Sequence, residues 1–284
     1  MDEATKYRKQ ARQKLKGFWK DAFLISFFLI FITTMFYLLE YFTRSNTLLN
    51  LIVLLSILTF TIPLNYGYLS SLYKIRNMEK YSYFGFIKFA IKNFKKSWSI
   101  FANILLKILP LFIVFLIVTM VLAYGSTVIV NSNLLDFEIS SFSDFGNLDS
   151  SIAFGVIAFT LGLISYFICI ILFIPKFLLY SLSFFIGIKY TDISAKNAVE
   201  KSKELMKGNR IKLLILLVSF IFWGILTLVP YSIFMDILNL PLIGLTSFLL
   251  CYSLLMPYIM FSIIEFFEDR DSKNEIQIEQ DPQN

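Results

Sequence analysis

The sequence predicts an all-α integral membrane protein: six transmembrane helices as three hairpins, each preceded by a basic amphipathic cytoplasmic helix, with both termini in the cytoplasm. Three observations lead there. Hydrophobic residues make up 57% of the 284, and Phe alone accounts for 32, whereas a soluble domain is roughly half apolar and a quarter charged. Six charge-poor runs are each long enough to cross a hydrocarbon core of about 30 Å at about 1.5 Å per residue. The cations are one-sided. Of the 26 Lys and Arg, all but Arg44 and Lys107 fall in the N-terminal arm, the second and fourth inter-span segments or the C-terminal tail, and that bias places both termini inside.

Residues 1–20 form a basic arm whose stripe is Tyr7, Ala11, Leu15, Phe18 and Trp19, flanked by Arg8, Lys9, Arg12, Lys14 and Lys16. Such a segment is expected to lie on the anionic inner leaflet. The first apolar run, residues 22–40, has no small-residue cleavage pattern behind it and reads as a retained span. The second span, 47–73, contains Pro63. Before and within the third, 98–123, Lys88, Lys92, Lys96, Ser99, Asn103 and Lys107 recur at three- and four-residue spacing, a single polar stripe if the helix is continuous. A span starting at Trp98 puts Lys107 on the order of 13 Å deep, where an ammonium marks function. If residues 84–106 instead lie flat on the surface, Lys107 snorkels. No carboxylate sits at matching depth, so a proton relay has no Asp or Glu candidate.

Residues 125–150 read as an acidic outer loop; Asp136, Glu138, Asp144 and Asp149 match no EF-hand spacing. The fourth span, 151–175, ends at Pro175. The segment 193–212 then offers Ser194 as N-cap, an apolar face of Ala198, Val199, Ser202, Leu205 and Met206, a lysine-rich opposite face, and Gly208 where a left-handed C-cap belongs. It is expected to clamp onto anionic lipid or, alternatively, to pack on the other two basic segments as a cytoplasmic collar. The last spans are 213–235 and 242–264, the latter with Pro257. Residues 265–284 form an acidic cytoplasmic tail whose last dozen or so positions are expected to be disordered.

An internal repeat supports this division. The entries LKGFW (15–19), FKKSW (94–98) and MKGNRI (206–211) each precede a hairpin, and Pro63, Pro175 and Pro257 sit near its cytoplasmic exit, as parallel repeats would. Chemistry is restricted by what the chain lacks. It contains 0 His, which removes the commonest general base and metal ligand. Cys169 and Cys251 lie in apolar runs and read as small packing residues. There are no paired carboxylates, no Ser/His/Asp set, no phosphate-cradling Gly loop and no ligand cluster, so neither a catalytic role, a cofactor nor a metal is expected. The basic segments adjoin the bilayer and interleave aromatics with apolar residues, which favours anionic lipid headgroups over nucleic acid as partner.

The pattern Arg8, Ala11, Arg12, Leu15, Lys16, Gly17, Trp19, followed by Ser194, Ala198, Ser202, Lys207, Gly208, Trp223, Pro257 and Tyr258, resembles a bacterial polytopic membrane family catalogued only as domain of unknown function nine-seven-five. The resemblance spans nearly the whole chain and is strongest over 193–223. The core around 198–208 is more faintly similar to the membrane domain attached to some glycerophosphodiester phosphodiesterases, without their catalytic half. Lys176, Ile211, Leu217 and Phe222 depart from the family pattern, which has Gly, Trp, an acid and Gly there; the missing acid weakens any borrowed transport mechanism. The resemblance implies a bacterial cytoplasmic membrane location and no known activity. The expectation is therefore a non-enzymatic accessory or scaffold, a transporter partner or membrane-protection protein among them. The alternative is a small transporter or lipid-handling protein using the proline-broken helices at Pro63, Pro110 and Pro175, together with Lys107.

Overall fold

The structure, a computed structural model, describes residues 3–131 and 150–280; these are helical almost throughout and include no strand. In chain order the helices are α1 (Glu3–Leu15), α2 (Trp19–Thr43), α3 (Thr47–Arg76), α4 (Gly85–Lys92), α5 (Phe94–Asn131), α6 (Ser150–Tyr180), α7 (Ser183–Lys189), α8 (Ala195–Met206), α9 (Arg210–Val218), α10 (Ile221–Ser232), a π turn (Ile233–Ile237) and α11 (Pro241–Gln280). By length and composition six segments are able to cross a membrane. The short helices α1, α4 and α8 precede α2, α5 and α9.

Two compact units result, one drawn from Met1–Asn103 with Leu178–Asn284, the other Ile104–Phe177. In the smaller unit α5 and α6 approach through glycine. A methyl on Gly125 would lie 2.6 Å from the Phe159 nitrogen, and one on Gly155 would lie 2.4 Å from Val128 Cγ1. Close backbone approach of this kind is how helices gain dispersion contacts in an apolar solvent.

The larger unit is organised on α11. Of the apolar window in Pro241–Asn274, 44% is buried, against 6% in Phe94–Asn131. The segment expected as an acidic tail is instead helical to Gln280, and its Glu265, Arg270 and Asp271 are buried. Asp271, 0% exposed, lies 2.7 Å from Lys189 Nζ and 3.0 Å from Lys201 Nζ and accepts from the Tyr190 hydroxyl at 2.7 Å. Glu265 takes Arg76 Nε at 2.9 Å, and Glu268 accepts from Tyr73. Asp269 pairs with Lys6 at 2.9 Å and accepts from Tyr7 at 2.8 Å. The acids thus gather cations from α1, α3, α7 and α8 around one stretch of α11. Glu3 bridges Lys212 and Arg270, and the Lys212 hydrogen bond is the first cause holding its carboxyl below the ordinary glutamate value. What that bridge adds is present in full above the ordinary value and lost as pH falls through the depressed one.

Three further expectations change. The fifth span is not one helix: Ser219 Oγ bonds Leu216 O at 2.7 Å, Phe220 N bonds Leu217 O at 3.0 Å, and the turn carries Phe220 into the interior. Side-chain back-bonding of this kind competes with the helical ladder. The stripe from Lys88 to Lys107 is not one helix either, because α4 ends at Lys92 with Asn93 as its C-cap, whose side-chain and backbone nitrogens both bond Phe89 O. Finally, α5 runs to Asn131, past the start of the segment read as outer loop; Asp136, Glu138, Asp144 and Asp149 lie outside the described residues.

Pro63 sits inside α3 and has no N–H to give Thr59 O, four residues back. Trp98 Nε1 fills that vacancy at 3.0 Å. Replacing Trp98 by Phe is expected to cost about 1–3 kcal/mol by leaving the Thr59 carbonyl unsatisfied. Thermal unfolding in detergent measures this, and a wild-type midpoint would contradict it.

Candidate functional site

The site starts from how α1 is seated. Ala4, Tyr7, Ala11 and Leu15 recur at helical spacing and are all buried, against α11 and α9. The stripe expected to rest on lipid is therefore covered by protein, with burial and the Asp269 carboxylate raising the Tyr7 phenol's pKa. Arg8 and Arg12, one turn apart, consequently emerge beside α10 and α11. The helix ends at Gly17, φ +92°, where only a residue without Cβ adopts the backbone cheaply. Lys16 N bonds Gln13 O and Phe18 N bonds Leu15 O, and the chain turns into Trp19. The end of α8 repeats this turn: Gly208 has φ +79°, Lys207 N bonds Glu204 O, and Asn209 N bonds Met206 O.

Between α1, the start of α2, α10 and α11 lies a groove of about 400 Å³ whose lining includes Arg8, Arg12, Trp19, Trp223, Cys251 and Tyr258, with Leu226, Leu254 and Leu255 as apolar wall. The Arg8 guanidinium stands 5.6 Å from the Phe220 ring and that of Arg12 5.8 Å from the Tyr258 ring. Phe220 and Tyr258 pack edge to face at 5.1 Å, and Trp19 lies 6.1 Å from Tyr258. Among the described residues neither arginine has an ion-pair partner, whereas Lys6 on the same helix is paired. The Tyr258 hydroxyl is buried with no hydrogen-bond partner, as is Arg8 Nε. A buried donor left unsatisfied costs about 1–3 kcal/mol, so the groove is cationic and under-bonded at one end and apolar along its wall.

Five residues marked from sequence, Arg8, Arg12, Trp19, Trp223 and Tyr258, meet here, and Pro257 precedes Tyr258. The others do not. Ser194 caps α8 by accepting from Asn197 N at 3.2 Å, and Ser202 Oγ bonds Leu179 O at 2.9 Å. Ala198, Val199, Leu205 and Met206 are buried within the protein, so they leave no apolar face for a lipid clamp. Nor do the basic helices chiefly meet one another as a collar: α8 rests mainly on α7, α1 on α11 and α4 on α3. Lys107 is exposed in mid-α5 and Pro175 exposed within α6, both in the smaller unit. Thr227 carried no sequence signal, Cys251 read only as a small packing residue, and Phe220 stood in the family-like stretch 219–221 without a role. Among the described residues no group of three or more His, Cys, Asp or Glu is placed to hold a metal ion.

These features define a multi-pass helical membrane protein with an amphipathic groove between its basic first helix and the apolar helices α10 and α11. The chain belongs to the family described as "Protein of unknown function (DUF975)", whose model matches residues 1–274. No curated protein and no solved structure matches it, and the fainter similarity to the phosphodiesterase membrane domain finds no support there.

Proposed function

We propose that the protein is a non-enzymatic accessory of the cytoplasmic membrane that holds one acidic phospholipid in the groove, as a scaffold for a membrane-protein partner. The observation that carries this reading is the pair of guanidiniums without carboxylates, next to the unpartnered Tyr258 hydroxyl, at the mouth of an apolar wedge. Guanidinium forks suit phosphate oxygens, and an acyl chain along Leu226, Leu254 and Leu255 gains about 0.8 kcal/mol per buried CH₂. The one-sided Lys and Arg favour the inner leaflet for the arginine end. A transport role finds less support, because the carbonyl freed by Pro63 is already taken by Trp98.

The test is native mass spectrometry of the full chain released from mixed nanodiscs. Acidic phospholipid is expected to be retained over zwitterionic lipid, with retention at least tenfold lower in Arg8→Gln/Arg12→Gln and unchanged in Lys203→Gln. Equal retention by the arginine variant would overturn the reading.

A further inference from the structure

A second cavity, of about 640 Å³, is enclosed by the ends of α3 and α7, by α4 and by the first turn of α5. Its charged lining is Lys74, Lys80, Lys88, Lys92 and Lys96, with no Asp or Glu. The lysines are not equivalent. Lys96 spends its three N–H donors on Gly187 O at 2.9 Å, Tyr190 O at 3.3 Å and Thr191 O at 2.6 Å, which fixes the wall where α7 ends. Lys74, Lys80, Lys88 and Lys92 have no hydrogen bond or ion pair among the described residues, in contrast to Lys189 and Lys201 on Asp271. Lys88 and Lys92 are four apart on α4, an arrangement that repels when nothing lies between.

The floor carries hydroxyls in the same condition. Tyr66 is 1%, Ser70 3% and Ser71 5% exposed, and none of these hydroxyls has a hydrogen-bond partner among the described residues. Ser26, Ser183 and Ser253, buried in other helices, each bond a carbonyl one turn back. A cavity that collects ammoniums and idle hydroxyls, with no carboxylate in its lining, is rich in donors for an anion; Asp192, which acts on Lys96, lies outside that lining. Lysine meets phosphate as a point charge rather than a fork, and four such charges around a volume in the small-ligand range exceed what one phosphate neutralises.

We propose that this cleft binds a compact anion carrying two or more phosphate groups, either a free polyphosphate or a multiply phosphorylated lipid headgroup. Lys74, Lys80, Lys88 and Lys92 supply the charge and Tyr66, Ser70 and Ser71 the hydrogen bonds. The site shares no lining residue with the groove and does not depend on that reading.

The test uses the full chain in nanodiscs of neutral lipid, with the unfolding midpoint and calorimetric binding as readouts. One arm adds inorganic tripolyphosphate; the other replaces part of the lipid with a bis-phosphorylated lipid, in an Arg8→Gln/Arg12→Gln background so that the groove makes no contribution. The probe variant is Lys88→Gln/Lys92→Gln, whose side chains are exposed and hold no hydrogen bond or ion pair among the described residues, and sulfate at matched ionic strength is the control. Stabilisation by tripolyphosphate, at least tenfold weaker in the variant, identifies a free polyphosphate. Stabilisation by the lipid alone, with the same loss, identifies a headgroup. No response to either probe, an equal response in the variant, or an equal response to sulfate overturns the proposal.

Discussion

Asp271→Asn is expected to destabilise the protein by about 3–5 kcal/mol, the range found when one partner of a buried ion pair is removed. The carboxylate is fully enclosed, with Lys189 at 2.7 Å and Lys201 at 3.0 Å. Asparagine keeps the shape and can still accept from the Tyr190 hydroxyl, but it removes the charge and turns one acceptor into an N–H donor, so two half-buried ammoniums lose the anion between them. Lys189 retains Glu268 at 3.2 Å, but Lys201 is left with the Tyr190 ring, 3.7 Å from its Nζ. A cation–π contact recovers about 1–2 kcal/mol at best. Tyr190→Phe, which deletes the hydroxyl's bond to Asp271 and no charge, is expected to cost about 1–2 kcal/mol. Denaturant titration in detergent separates the two variants. Equal midpoints would mean that the ion pairs contribute nothing, whereas partial rescue of Asp271→Asn by Lys201→Met supports them.

The same residues show how far the sequence could be read. The apolar runs and the three basic amphipathic segments were legible because length and periodicity are local properties, and the observed helices follow them. The buried faces of α1 and α8 were also legible, but periodicity says that a face is covered without saying whether lipid or protein covers it. Acids at 265, 268 and 271 after an apolar run look like a solvated tail; only folding brings Arg76, Lys189 and Lys201 to them. The interruption at Ser219 and Phe220 has neither Pro nor Gly to announce it. In the groove the marked residues were individually visible, while their convergence depends on α10 and α11 packing together. Lys88, Lys92 and Lys96 were read as the start of a stripe toward Lys107. The turn at Asn93 instead sets them around a cavity, in a different unit from Lys107.

Gly67→Ala is expected to cost at least about 1–3 kcal/mol, the usual range for overpacking, and to open the lysine cleft as well. Gly67 lies where α3 crosses α4, and a methyl there would stand 2.1 Å from the Phe86 carbonyl oxygen, 3.0 Å from its carbon and 3.2 Å from Ala90 Cβ. The obstacle is backbone rather than the tip of a flexible side chain, so relief requires α4 as a whole to move away from α3. That movement exposes Phe86 and Ala90, at present 0% and 2% exposed, and carries Lys88 and Lys92 away from Tyr66, Ser70 and Ser71. Gly224, within α10, has no atom within 4 Å of the corresponding position; Gly224→Ala is therefore expected to be neutral or to stabilise by up to about 1 kcal/mol through helix propensity. Two readouts distinguish loss of this one crossing from general weakening: the unfolding midpoint, and the rate of trypsin cleavage at Lys88 and Lys92, which rises selectively if α4 detaches. A Gly67→Ala protein with a wild-type midpoint and wild-type cleavage would rule out the close crossing and, with it, the placement of α4 that forms the cleft.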